Sequence, residues 1–256
     1  MLSDETPRFG FGANWNKFNT SLTEDQRTGA RDSLVACLGD ITGLSFLDIG
    51  AGSGLFSDAA HALGASVRSF DFDPAHPGIE RGDVLDPTFI ASLGEYDIVY
   101  AWGVLHHTGR MWDAIENAAS RVKPGGRFFI SIYNDQGRVS ERWRLVKRTY
   151  NRLPGLMRTP FVVTAMAPRE IRSAVWRTIR GRSYLELWRN YPRGMSRWRD
   201  MVDWVGGYPF EVAKPEEVFA FLRDRGFNLE YLRTVGGGLG CNEFVFRRKV
   251  DKGESG

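Results

Sequence analysis

The residues able to do chemistry in combination are gathered in a few short stretches. In Leu47-Asp-Ile-Gly-Ala-Gly-Ser-Gly54 the glycines Gly50, Gly52 and Gly54 follow strand-type residues and open a helix. That placement lets backbone N–H groups at a helix N-terminus approach a ligand, and it suits an adenosine-containing one. A dinucleotide loop would carry Gly-x-Gly-x-x-Gly. Here Leu55 stands at the sixth position and Asp48 sits two residues before the first glycine, which points away from NAD. Further along, Trp102–His107 and Tyr133-Asn134-Asp135 each follow an apolar run. A histidine can take a proton from a hydroxyl or amine near neutral pH, so one of His106 and His107 is the candidate base, with His106 put first. Tyr133 and Asn134 add hydrogen-bonding groups, and Asn242 and Glu243 follow a glycine-rich loop near the C-terminus.

These stretches need elements to hold them, and the pattern supplies a regular series. Ser21-Leu-Thr-Glu24 fits a capping box before a helix with Leu34, Val35 and Leu38 on one face, ending near Gly39. Strands are expected at Ser45–Ile49, Val67–Phe72, Ile79–Val84, Tyr96–Ala101 and Arg127–Tyr133. Helices are expected after Gly54 and around Met111–Val122, with a turn at Lys123-Pro-Gly-Gly126. Lys214-Pro-Glu-Glu217 starts a last helix, and Asn228–Thr234 and Glu243–Arg248 form a closing hairpin. Alternating strands and helices imply a mainly parallel sheet with right-handed crossovers, and ligands then sit beyond the carboxyl ends of the strands. Tyr133, His106 and Glu243 would all lie on that edge.

The formal charge of +3 hides a segregation. From Gln136 to Arg199 there are sixteen Arg or Lys against Glu141, Glu170 and Glu186, so this stretch carries roughly +13. Val139, Trp143, Val146, Tyr150 and Leu153 recur at helical spacing, and Pro168–Arg180 gives a second basic helix, with an apolar stretch holding two prolines between them. The expected division is therefore an N-terminal cap over 1–44, a core over 45–133 and 214–248, a helical Arg-rich lid over 134–213, and a polar tail over 249–256. Arginines suit carboxylate and phosphate forks. Arg142 and Tyr184 are the lid's candidate acceptor-binding residues, and the acceptor is expected to be acidic or phosphorylated.

The spacing Asp-x-Gly-x-Gly-x-Gly at Asp48–Gly54 resembles motif I of class I S-adenosylmethionine (AdoMet)-dependent methyltransferases. YDIVYAWGVLHH and VKPGGRFFISIY continue the likeness, which covers residues 45–133 and 214–248 and leans toward the small-molecule branch that includes ubiquinone-type O-methyltransferases. The resemblance implies a doubly wound seven-stranded sheet of order 3-2-1-4-5-7-6 with the last strand antiparallel. It assigns the two ribose hydroxyls to Asp71, the adenine face to Phe72, and the adenine edge to Asp83 and Val84. The methionine end falls to Asp48, Gly50 and Gly52, closed by Ala101 and Trp102. N-terminal segments of relatives fold over the cofactor, which makes Trp15 a candidate shield for the sulfonium. The chain departs from the pattern between Asp73 and Gly82, where relatives place a helix and this sequence has a proline-stiffened crossing.

The resemblance implies AdoMet as cofactor, no metal, and methyl transfer to oxygen or nitrogen of a small-molecule or glycoconjugate acceptor. The basic lid keeps an RNA methyltransferase as an alternative. An AdoMet-using enzyme that does not methylate, for example one releasing methylthioadenosine, is another, and a non-enzymatic AdoMet-binding protein a third. Cys37 and Cys241 lie far apart without Cys-x-x-Cys spacing, which argues against a zinc site or disulfide framework. No signal-like or membrane-spanning segment is evident, so a cytoplasmic protein is expected, with peripheral membrane contact through the apolar stretch between the basic helices.

Overall fold

The computed structural model describes residues 24–74, 76–189 and 197–250. Helix α1 (Glu24–Leu38) precedes β1 (Ser45–Ile49), α2 (Leu55–Ala62), β2 (Ser66–Asp71), β3 (Glu80–Arg81), α3 (Pro87–Ser92) and β4 (Tyr96–Trp102). A 3-10 turn (Leu105–His107) then leads to α4 (Met111–Ala119) and β5 (Val122–Tyr133). The inserted helices are α5 (Arg138–Arg152), α6 (Gly155–Ile179), α7 (Tyr184–Arg189) and α8 (Arg197–Gly206), and the chain closes with α9 (Pro215–Arg223), β6 (Phe227–Arg233) and β7 (Cys241–Arg248).

The sheet has the expected order β3-β2-β1-β4-β5-β7-β6, parallel from β3 to β5 and antiparallel at β7. Its strands alternate side chains between two covered faces. On one face Leu47, Val99, Phe128, Ile130 and Phe244 pack with α4 and α9; on the other Phe46, Tyr100, Phe129 and Val245 pack with α1 and α2. Strands buried on both sides read as continuous apolar runs, which is why their positions were legible in the sequence.

Several boundaries differ from expectation. Val35 is 48% exposed while Leu34 and Leu38 are buried, so the buried face of α1 turns away from Val35. The expected capping residues Ser21 to Thr23 lie outside the described residues. The third strand shrinks to two residues because the chain turns off the sheet at once: Leu85 N–H donates to Asp83 Oδ1 at 2.9 Å, and Asp86 then caps the short α3. Gly82 is needed at that turn, since a Cβ there would lie 2.2 Å from the Phe89 ring. The 123–126 turn is an excursion inside β5, which pairs with β4 both before it, at Val122, and after it, at Arg127.

The larger difference is α6. The sequence suggests an apolar link over Leu153–Ala167, holding Pro154 and Pro160, and a helix starting at Pro168, yet one helix of 25 residues runs from Gly155 through Pro160 and Pro168 to Ile179. Each proline removes one backbone donor, at a cost of about 3 kcal/mol. Tertiary packing outweighs it. Val162 and Met166, one turn apart, bury against Tyr150 of α5 and Met201 and Val205 of α8, giving the insertion its own small core. From there the segment Gly207–Ala213 returns along the sheet edge, its Glu211 N–H donating to the His106 carbonyl (3.0 Å) and its Ala213 N–H to the Tyr133 carbonyl (3.0 Å).

Candidate active site

A cavity of about 350 Å³ opens at the carboxyl ends of β1, β2 and β4, within the range of small-ligand pockets. Asp48, Gly50, Gly52, Asp71, Phe72, Asp83, Val84 and Trp102 all line it. Gly50 has φ +70°, and a Cβ there would fall 2.4 Å from the Val104 methyls, so both conformation and close approach require glycine. Asp71 clasps the loop: Gly52 N–H donates to its Oδ2 at 2.9 Å and Asp73 N–H to its Oδ1 at 2.9 Å. Phe72 is 51% exposed on the cavity wall.

Asp48 is buried under the loop and accepts a hydrogen bond from Ser57 Oγ at 2.6 Å. Burial, aided by the nearby Asp71 charge and opposed by the Ser57 bond, pushes its carboxyl up to about 7. The folded protein then holds a proton on Asp48 that the unfolded chain loses near its ordinary value of 3.8. Stability should therefore fall as pH rises from about 4 to about 7 and level off above, by up to about 4 kcal/mol. Denaturant melts across this window should show the fall in the native protein and its loss in Asp48→Asn; an equal fall in both would contradict the burial argument.

Ala101, expected to close the methionine end, is fully buried in the core behind the cavity, and Gly103 and Val104 stand on the wall in its place. Trp15 lies outside the described residues. His106 is 0% exposed, its ring tilted against Tyr133 at 4.0 Å between centroids, and it does not line the cavity. His107 does. Its Nδ1 lies 2.7 Å from the Pro209 carbonyl, which can only accept, so Nδ1 carries the proton and Nε2 the lone pair of the neutral ring. Burial and the Lys147 charge pull His107 down to about 3, so it stays neutral through the physiological range. Tyr133 also lines the cavity; burial first, then Cys241, Asp200 and Asp203, raise its phenol, which keeps it a hydroxyl and not a base.

The remaining expected residues are bound into the framework. Asn242 is 1% exposed: its Nδ2 donates to Asn134 Oδ1 at 3.0 Å and its Oδ1 accepts from Val235 N–H at 3.1 Å. Asn134 and Asn242 thus clasp the hairpin loop to the end of β5. Glu243 accepts from Trp102 Nε1 (3.3 Å) and Arg233 (2.7 Å), and among the described residues it is not on the wall. Strand alternation gives the reason. Cys241 pairs with Tyr133 and shares its face, Asn242 points to the other face, and Glu243, opposite Ser131, sits one step deeper into the sheet. Cys241 is the hairpin residue that reaches the cavity. Arg142 is exposed on α5, and Tyr184 hydrogen-bonds Glu170 at 2.6 Å; neither lines the cavity.

The insertion contributes Asp200, Asp203 and Trp204 of α8 instead. Their spacing of three and four residues puts them on one helical face, a signal present in the sequence. Among the described lining residues there is no arginine or lysine.

Comparison with known proteins gives the family. Residues 22–177, more than half of the chain, match the family model described as a methyltransferase domain. The ubiquinone biosynthesis O-methyltransferase of Paraburkholderia xenovorans is 33% identical over 107 residues, 37% of this chain and 46% of that protein. The protein of the same description from a Methylobacterium species is 34% identical over 106 residues, covering 37% and 43%. The chain therefore matches about half the length of these relatives. Among solved structures, an O-methyltransferase family protein from Burkholderia thailandensis superposes with a TM-score of 0.52 at 14% identity, over 93% of this chain and 60% of that one, a likeness of fold. The matched family model, together with the 3-2-1-4-5-7-6 sheet, places the chain in the methyltransferase-domain family of class I AdoMet-dependent methyltransferases.

Proposed function

We propose that the protein transfers a methyl group from AdoMet to a hydroxyl or amine of a small molecule. The observation that carries this is a single cavity joining two unlike ends: the glycine loop clasped by Asp71, and a wall made of His107, Tyr133, Asp200, Asp203 and Trp204. The first end fits AdoMet. Asp71 presents carboxylate oxygens to the ribose, Phe72 offers a ring for the adenine, Asp83 and Val84 offer groups for its edge, and Asp48 with the loop faces the methionine end. Bound there, AdoMet supplies an electrophilic methyl group on a sulfonium.

The chain then aligns the acceptor; as the new bond to carbon forms, the S–CH3 bond breaks to leave S-adenosylhomocysteine, and the acceptor's proton passes to the Asp200 or Asp203 carboxylate or to water. Direct displacement moves positive charge from sulfur onto the acceptor atom, and the carboxylates of Asp200 and Asp203 favour that movement. A neutral His107 accepts a hydrogen bond through Nε2, and Tyr133 donates one through its hydroxyl. A wall of two carboxylates and two aromatic rings suits an uncharged or cationic acceptor. The acidic or phosphorylated acceptor expected from the Arg-rich insertion finds no support at the cavity, since neither its candidates Arg142 and Tyr184 nor any other described arginine or lysine lines it.

Incubation with methyl-labelled AdoMet and a panel of phenols, alcohols, amines and carboxylated or phosphorylated analogues tests this. Labelled product and S-adenosylhomocysteine should appear with the uncharged or cationic members. Preference for anionic acceptors would overturn the acceptor assignment, and methylthioadenosine as the product would overturn methyl transfer. Asp203→Asn and Trp204→Ala should lower kcat/KM for the acceptor by about tenfold to a hundredfold with AdoMet affinity kept, whereas Arg142→Ala should leave both unchanged.

A further inference from the structure

The outer face of α6 takes no part in the cavity. Its inner face gives Val162 and Met166 to the insertion's core. Opposite them, Leu156, Val163, Ile171, Val175 and Ile179 recur at helical spacing and are exposed, Leu156 at 95% and Ile179 at 79%. At 1.5 Å per residue this aliphatic stripe is about 35 Å long, far beyond the scattered apolar residues of an ordinary surface. Exposed arginines Arg158, Arg169, Arg172 and Arg180 lie along one flank. Trp176 is half-exposed beside them, with the Arg180 guanidinium 3.8 Å over its ring.

The charges are one-sided. The helix holds a single acid, Glu170, turned inward and engaged by Arg197 at 2.7 Å and Tyr184 at 2.6 Å. No carboxylate of α6 therefore opposes an anionic surface. A long aliphatic stripe with a guanidinium flank and an interfacial tryptophan is the pattern of a helix lying in a lipid headgroup layer. No described helix is long and apolar enough to cross a membrane. A second copy seated on the same face would bring like guanidiniums together.

We infer that α6 docks the protein flat on an anionic lipid bilayer, its aliphatic stripe set among the acyl chains and its arginines on the lipid phosphates. Docking goes beyond the methyl-transfer reading, and it can be measured without AdoMet, so either can fail alone. Each arginine near an anionic surface contributes about 1 kcal/mol, so binding must be charge-selective and weakened by salt.

The test is sedimentation of the whole protein with vesicles of phosphatidylcholine alone and of phosphatidylcholine with phosphatidylglycerol. Binding should be at least about tenfold stronger to the second and fall as salt is raised. The pair Ile171→Ser with Val175→Ser, and separately the pair Arg172→Glu with Arg180→Glu, should each reduce it by about tenfold or more. These side chains are exposed, so thermal melts should stay near native. Absent or equal binding to the two vesicles, or unaltered binding in both variants, overturns the inference. A concentration-dependent dimer that the Ile171/Val175 pair dissolves would overturn it too, assigning the face to a second copy.

Discussion

Asp71→Asn should lower AdoMet affinity about tenfold to a hundredfold while leaving the fold intact. The carboxylate has two tasks at once. It holds the glycine loop through Gly52 N–H at 2.9 Å and its own turn through Asp73 N–H at 2.9 Å, and it borders the cavity where the ribose is proposed to lie. An amide keeps one acceptor oxygen but turns an NH2 group toward a backbone donor, so one end of the clasp becomes a repulsion. A hydrogen bond to a charged group contributes about 1.5–3 kcal/mol, and losing the one at that end corresponds to roughly tenfold to a hundredfold in dissociation constant. Calorimetric titration reads the change directly. Affinity within about threefold of native would remove Asp71 from the ligand site.

Lys147→Met should make the protein more stable at pH 6 by about 1–4 kcal/mol. Lys147 is 0% exposed, held between the Trp204 and Phe210 rings, and its ammonium donates to the Trp204 carbonyl in the last turn of α8. Asn151, one turn along α5, donates to the Gly206 carbonyl at 2.7 Å, so the two side chains together cap that helix end. The cap is favourable, but burial of the charge outweighs it and pulls Lys147 down from 10.5 to about 7, with Asp203 opposing. Between these values the unfolded chain binds a proton that the folded one does not. Stability should thus rise as pH increases from about 7 to about 10.5, and the methionine variant should lack that rise. A variant less stable than native at every pH would mean that the cap dominates.

The sheet was readable because each core strand is a short apolar run bounded by turn residues, from Ser45–Ile49 to Arg127–Tyr133, and the nucleotide end because its residues all close strands. The far side of the cavity was harder to read for identifiable reasons. The stretch from Gln136 to Arg199 is strongly basic and Asp200 follows it directly, so the insertion's charge conceals the acidic helical face that meets the cavity. Two adjacent histidines look alike in sequence, and only the Pro209 carbonyl from the returning segment separates His107 on the wall from His106 beneath it. Asn242 and Glu243 border the hairpin loop, but alternation turns Asn242 to the other face and depth in the sheet removes Glu243, which leaves Cys241 at the cavity. Pro154 and Pro160 suggest a link and Pro168 a fresh helix start, and packing against α5 and α8 makes α6 continuous through Pro160 and Pro168.

Titration of the native protein with AdoMet in a calorimeter tests the central claim most directly. Saturable one-to-one binding with a dissociation constant between ~1 µM and ~1 mM is expected, with S-adenosylhomocysteine competing for the same site. No heat of binding at about 1 mM AdoMet, or equal binding of NAD, would contradict it.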